Sequence, residues 1–171
     1  FRSEPFVGDR RTPEPPVSMK ECLELRRDEG ETPPTTVDLD YLRGVYQGEV
    51  AFVDRAIGRF IDGLRDLERW DKTTLVVTSD HGEEFWDHGD FEHGHTLYEE
   101  LIHVPLIIKA PKSEEIAPRA VDAQVRVLDT LPTVFDLCEL SEPGTFSGSS
   151  LLPLMRGEAE PKERPAFSEA T

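Results

Sequence analysis

"LVVTSDHGEEFWDHGDFEHGH", residues 75–95, decides how this chain is read. Its opening residues are apolar and β-branched without alternation, the pattern of a strand buried on both faces. Asp80-His81-Gly82 follows where such a strand ends, and four of the chain's five histidines, His81, His88, His93 and His95, fall within the fifteen residues from 81 to 95. In open α/β sheets ligands bind outside the carboxyl ends of the strands, where loops converge, so Asp80 and His81 stand at an exposed and rigidly held position. A carboxylate and a neutral imidazole both coordinate divalent metals. Strand alternation breaks down at the strand end, so neighbouring side chains can turn to one ion. The competing reading is a plain turn, with Asp80 capping it and Gly82 supplying a positive φ. His88, His93 and His95 weigh against that reading, because they share a glycine-containing loop where core packing does not account for them. His103 precedes "VPLII" at a strand start and reads as structural.

Outward from this stretch the elements alternate. Upstream, Leu42, Tyr46, Val50, Val53, Ile57, Phe60, Ile61, Leu64 and Leu67 recur at steps of three and four, one apolar face of a long helix capped by Asp38 or Asp40 and running to about Trp70. Gly44, Gly48, Gly58 and Gly63 each cost roughly 1 kcal/mol relative to alanine in a helix, which suggests close packing against a sheet. Downstream, "TLYEELI" is a short segment and "HVPLIIKAP" a second buried strand. "DAQVRVLDTLPTVFDLCEL" reads as a strand ending near Leu128, a cap at Asp129 or Thr130, and a helix with Pro132 in its first turn. "LLPLMRGE" and a closing "RPAFSEA", one further strand, complete the order of an α/β domain with a largely parallel sheet.

Residues 1–38 differ in kind. Pro13, Pro15, Pro16, Pro33 and Pro34 prevent long helices, and only "SMKECLELRRD", capped by Ser18, can form a short one. This zone reads as an extended arm or lid, with residues 39–171 forming the folded part. The chain opens at Phe1 without an initiator methionine, and its first residues read like the middle of a longer protein.

Composition narrows the function. The chain has 171 residues, enough for one domain with a real core, and 37% hydrophobic residues with 32% charge mark it as folded. A net charge of -16 and a pI near 4.6 disfavour nucleic acid, whose phosphates require a basic face. An anionic ester would need local positive charge, for instance from a metal. No stretch reaches the roughly 18 apolar residues of a membrane span. The two cysteines, Cys22 and Cys138, lie outside any Cys-x-x-Cys pattern and read as unpaired thiols, with a single disulfide as the alternative.

"TTLVVTSDHGEEFWDHG", "HGHTLYEELIHVPLIIKAP", "VRVLDTLPTVFDL" and "FSGSSLLPLMRG" together resemble the C-terminal half of the catalytic domain of the sulfatase family, within the alkaline phosphatase-like superfamily. The resemblance runs from about Tyr41 to the final "AFSEA". It implies part of an α/β, alkaline phosphatase-like sandwich, with a mostly parallel sheet flanked by helices. It also implies a sulfuric ester hydrolase in which Asp80 and His81 ligate the catalytic divalent metal. Calcium-holding arylsulfatases mostly carry Asp-Asn here; Asp-His resembles the branch of phosphonate monoester hydrolases, choline sulfatases and lipoteichoic acid synthases. Imidazole is the softer ligand, so manganese or zinc gains on calcium. The family places a Lys or His about a dozen residues after the metal pair, where it assists departure of the leaving group. His93 matches that position best, with His95 the alternative, and His88 matches a mostly structural position.

The family's nucleophile motif, Cys/Ser-x-Pro-x-Arg, and the aspartates that complete its metal site belong to an N-terminal half. Neither "ECLEL" nor "DLCEL" resembles that motif, so these residues alone are expected neither to hold metal tightly nor to turn over substrate. Within the class the alternative is a phosphodiesterase, phosphonate monoester hydrolase or phosphoglycerol transferase; outside it, a non-catalytic binding module that keeps the fold. The expected partner is a small-molecule or glycan sulfate or phosphate ester. Glu83, Glu84, Asp87, Asp90 and Glu92 read as a solvated acidic loop, and Glu99-Glu100 as the polar face of a short helix. Asp129 reads as a helix cap, and Trp70 and Trp86 as packing beneath loops.

Overall fold

The computed structural model describes residues 36–141, 144–158 and 164–169. The arm with its short helix, and Cys22, lie outside the described residues. Helix α1 spans Thr36–Asp66, beginning ahead of both expected caps and ending short of Trp70, which opens a 3-10 turn at Trp70–Lys72. Strand β1 is Leu75–Thr78, β2 Glu84–Phe85, β3 Phe91–Glu92 and β4 Leu106–Lys109. Three shorter helices follow or intervene: α2 at Glu99–Ile102, α3 at Thr130–Leu137 and α4 at Leu152–Met155. No described helix is long and apolar enough to cross a membrane.

Two compact units divide these elements. The first joins α1 as far as Asp62 to Glu83–Thr96; the second combines Gly63–Gly82 with the chain from Leu97 onward. In the first, β2 pairs antiparallel with β3, Glu84 opposite Glu92 and Phe85 opposite Phe91. Leu42, Phe85 and Phe91 form its core, with Leu39 and Trp86 packed at the margin. The ring of Tyr46 meets that of Phe85 edge-on at 5.2 Å. Farther along α1 the expected apolar stripe keeps its spacing, yet Val50, Val53 and Phe60 are exposed. Three of the four glycines do not mark close packing either, because no described atom outside the helix backbone lies within 4 Å of where a Cβ would stand at Gly48, Gly58 or Gly63.

In the second unit β1 pairs with β4 antiparallel, Leu75 opposite Lys109 and Thr78 opposite Leu106. The largely parallel sheet expected from the sequence is therefore not what the described strands form with one another. The chain leaves β1 at one end, makes its excursion, and re-enters β4 at that same end, which reverses direction; a parallel pair needs a crossover to the opposite end. Lys109 pins the other end of the pair. Its ammonium sits 4.5 Å from the centroid of the Trp70 ring and donates to the carbonyls of Trp70 and Thr73. Burial pulls its pKa down, an effect partly opposed by the charge of Asp71. Trp70 thus packs structurally, as expected, and so does Trp86, whose ring lies 5.2 Å from that of Phe91.

The strand expected before Leu128 is absent among the described residues. A 3-10 turn, Val127–Asp129, leads directly into α3. Residues 164–169 are not a strand, and "LLPLM" is the short α4. Asp129 precedes α3 but makes no capping bond to it. Its carboxylate is fully buried and accepts from the Arg126 backbone at 3.0 Å, the Arg126 guanidinium at 2.8 Å and the Ser149 backbone at 2.8 Å. The Arg164 guanidinium lies 3.3 Å away. Thr133, also buried, donates to the Asp129 carbonyl at 2.6 Å and accepts from Leu151 N–H at 2.8 Å. Leu137, Leu151 and Leu154 are buried in the same unit. His103 is no core residue: it is exposed, with Nδ1 3.3 Å from the Glu99 carboxylate.

Candidate functional site

Asp80 and His81 emerge directly after β1. The Ser79 hydroxyl donates to the His81 carbonyl at 2.7 Å, and His81 N–H donates to Asp80 Oδ1 at 3.2 Å, so the strand end is a tight, internally bonded corner. His81 Nδ1 lies 2.8 Å from the Gly82 carbonyl, an acceptor only. Nδ1 is therefore the donor, and in the neutral ring the lone pair falls on Nε2. That Nε2 stands 3.7 Å from Asp80 Oδ1, with the aspartate side chain 89% exposed and the histidine 41%.

These donors fit a divalent ion. A carboxylate oxygen and an imidazole nitrogen 3.7 Å apart can each reach one metal at about 2.1 Å with an angle near 120° between them. A backbone carbonyl fixing the tautomer is the usual support of a metal-binding histidine. Hard and borderline ions both accept this pair, so the donor set alone leaves calcium, manganese and zinc open.

Gly82 is not at a positive φ, contrary to the turn reading. It is required by proximity: a Cβ there would run into the Glu100 carbonyl, and Gly82 N–H donates to Leu101 O at 2.8 Å. Gly82→Ala is therefore expected to destabilise this unit by about 1–3 kcal/mol and to displace His81. Thermal unfolding and metal affinity, measured together on the full-length protein, check this; unchanged values for both contradict it.

The other histidines belong to the unit containing β2 and β3. His93 Nδ1 lies 3.4 Å from Glu83 Oε1, and its side chain is 44% exposed. His95, at 17%, is drawn inward, with Nε2 3.3 Å from both Glu84 Oε2 and Asp90 Oδ2. Its Nδ1 is buried without a hydrogen-bond partner among the described residues. His88 is exposed and donates its backbone N–H to Glu84 Oε1 at 2.9 Å. Asp87 ties the loop to α1, accepting from Arg43 at 2.9 Å and from Phe85 N–H at 3.0 Å. So Asp80 stands beside His81, whereas His93 and His95 each face their own carboxylates.

Glu84 is the residue the sequence reading misses. It is fully buried, not part of a solvated acidic face. The only sequence signal is its place beside Phe85 in a two-residue strand, flanked by other acids that are at least partly exposed.

Solved structures with this architecture are alkaline phosphatase-like. A phosphonate monoester hydrolase from Silicibacter pomeroyi shares 37% identity and a TM-score of 0.69, covering 78% of this chain and 26% of its own. The chain belongs to the sulfatase family, whose pattern matches residues 5–140. It is 34% identical over 126 residues to arylsulfatase K of Gallus gallus, covering 74% of this chain and 23% of that protein. It is 37% identical over 101 residues to the uncharacterized sulfatase YidJ of Escherichia coli K12, covering 59% and 20% respectively. The chain thus spans about a quarter of the length of these proteins or less.

Proposed function

We propose that this chain is part of a metal-dependent hydrolase of sulfate esters, in which Asp80 and His81 are two ligands of the divalent ion. Family membership supports the reaction class. The observation that carries the site is the His81 ring, its Nδ1 tied to Gly82 O and its Nε2 facing the Asp80 carboxylate at the end of β1. The ion, with further ligands from outside these residues, would supply Lewis-acid charge to the ester and lower the nucleophile's pKa.

The chain's other contribution is a proton. As the S–O bond breaks, negative charge grows on the leaving oxygen, and an imidazolium within hydrogen-bond reach neutralises it. His93 is the better donor of the two candidates because it is the more exposed, whereas His95 is committed to Glu84 and Asp90. The Glu83 carboxylate beside His93 orients its ring.

A second reading, hydrolysis of phosphonate or phosphate esters, draws support from the 37% identity to the phosphonate monoester hydrolase. The full-length protein, loaded in turn with calcium, manganese and zinc, is expected to cleave p-nitrophenyl sulfate with a higher kcat/KM than p-nitrophenyl phenylphosphonate. The reverse order favours the second reading, and no turnover of either contradicts both.

A further inference from the structure

We propose that Glu84 is a positioning residue, whose buried carboxylate locks His95 into the loop so that His93 is presented to the leaving group. This rests on the function proposed above for His93. Glu84 is the one fully buried acid of this loop, and three of its contacts tie the loop to itself. Oε1 accepts the backbone N–H of His88 at 2.9 Å and of Asp90 at 3.1 Å, while Oε2 faces His95 Nε2 at 3.3 Å. A single carboxylate thus fastens the loop at residues 88, 90 and 95.

Burying a carboxyl group is unfavourable unless it is hydrogen-bonded, so Glu84 stays inside only while its partners hold. The partners are constrained in turn. Trp86 and Glu92 have φ of 67° and 69°, a left-handed backbone that non-glycine residues adopt only when their surroundings enforce it. Gly89 and Gly94, at 90° and 88°, turn the chain between them. Asp90 completes the enclosure: its Oδ1 accepts Phe91 N–H at 2.9 Å and its Oδ2 lies 3.3 Å from His95 Nε2.

Two carboxylates facing one ring nitrogen make His95 Nε2 the donor position between Glu84 and Asp90. With Nε2 facing two carboxylates and Nδ1 buried, His95 is turned into the loop, as a strut and not as a donor to substrate. His93, two residues away and half-exposed beyond Gly94, is the one of this pair that faces outward. Glu84 touches neither substrate nor reacting atoms and acts through His95 and the backbone.

Two readouts on the metal-loaded full-length protein test this. The first is carbethoxylation by diethyl pyrocarbonate, read by peptide mass spectrometry. His93 should react at least about tenfold faster than His95 in the native protein, and Glu84→Gln should raise the His95 rate by a similar factor, the size expected for losing a charged hydrogen bond. Equal rates for the two histidines in the native protein overturn the proposal without need of any variant. The second is leaving-group dependence. Glu84→Gln should lower kcat about tenfold for an alkyl ester but at most about twofold for a p-nitrophenyl ester, because only the former needs a well-placed proton. An equal loss on both, such as general destabilisation gives, counts against it. If Glu84→Gln fails to fold, Asp90→Asn removes the other carboxylate on the same nitrogen and carries the same expectations. Absence of ester hydrolysis in the native protein refutes the function proposed for the site, whereas the carbethoxylation pattern tests Glu84 independently of turnover.

Discussion

Replacing both Asp80 and His81 by alanine in the full-length protein is expected to lower kcat/KM by at least about 10³-fold, or ~4 kcal/mol of transition-state stabilisation, while the protein stays folded. The size follows from the chemistry, since a divalent ion contributes several kcal/mol and two of its ligands would be lost. The sparing of the fold follows from exposure. Asp80 is 89% exposed, and no described residue other than His81 is in ion-pair contact with it. Steady-state kinetics together with thermal unfolding check both parts. Full activity in the double variant refutes the metal assignment; a collapse of thermal stability makes the pair structural.

The second large effect lies in the fold. Asp129→Ala is expected to destabilise the protein by about 3–5 kcal/mol, the cost of leaving a buried charge partner unpaired. Asp129 is fully buried, and the guanidinium groups of Arg126 and Arg164 are 16% and 8% exposed, so the variant strands two cations with little water to replace the carboxylate. It also releases Ser149 N–H and the Arg126 backbone N–H. Through Arg164, which donates to the Ser149 and Ser150 carbonyls, the loss spreads to the segment holding residues 164–169 against the loop before α4.

The same group sets a pH dependence. Burial alone would raise the Asp129 pKa, but hydrogen bonds from the Arg126 side chain and the Ser149 and Arg126 backbones, with the Arg126 charge, outweigh it and hold the carboxyl below its ordinary value. A depressed folded pKa means that the contribution is present above the unfolded value of about 3.9 and is lost as pH falls through the folded one. Stability is therefore expected to fall below about pH 4 in the native protein and to show a flatter acid limb in Asp129→Ala. A denaturant series at pH 3 to 7 on both proteins measures this.

How much was legible in the sequence depended on whether a residue's role is local. The long helix, the two strands and the Asp80-His81 corner are written in consecutive spacing, and each lies within a few residues of its expected place. The short helix at Glu99 and the packing roles of both tryptophans were equally readable. What failed was non-local. The antiparallel pairing of β1 with β4 is set by where the intervening chain re-enters, which no periodicity encodes. Glu84 reads as an ordinary surface acid and Asp129 as a helix cap, because a buried carboxylate differs from an exposed one only in its partners. Those partners sit four to eleven residues away for Glu84 and up to 35 for Asp129. The histidine-rich loop shows both sides: its composition draws attention to it, yet only the fold separates His95, turned inward, from His93, turned outward.

The most direct test of the metal site is an anomalous difference map of the full-length protein crystallised with manganese. A metal site at Asp80 and His81 requires a peak within about 2.0–2.3 Å of both an Asp80 carboxylate oxygen and His81 Nε2, with Nδ1 still bonded to Gly82 O. A catalytic ion bound elsewhere, with Asp80 and His81 both outside its coordination shell, contradicts it.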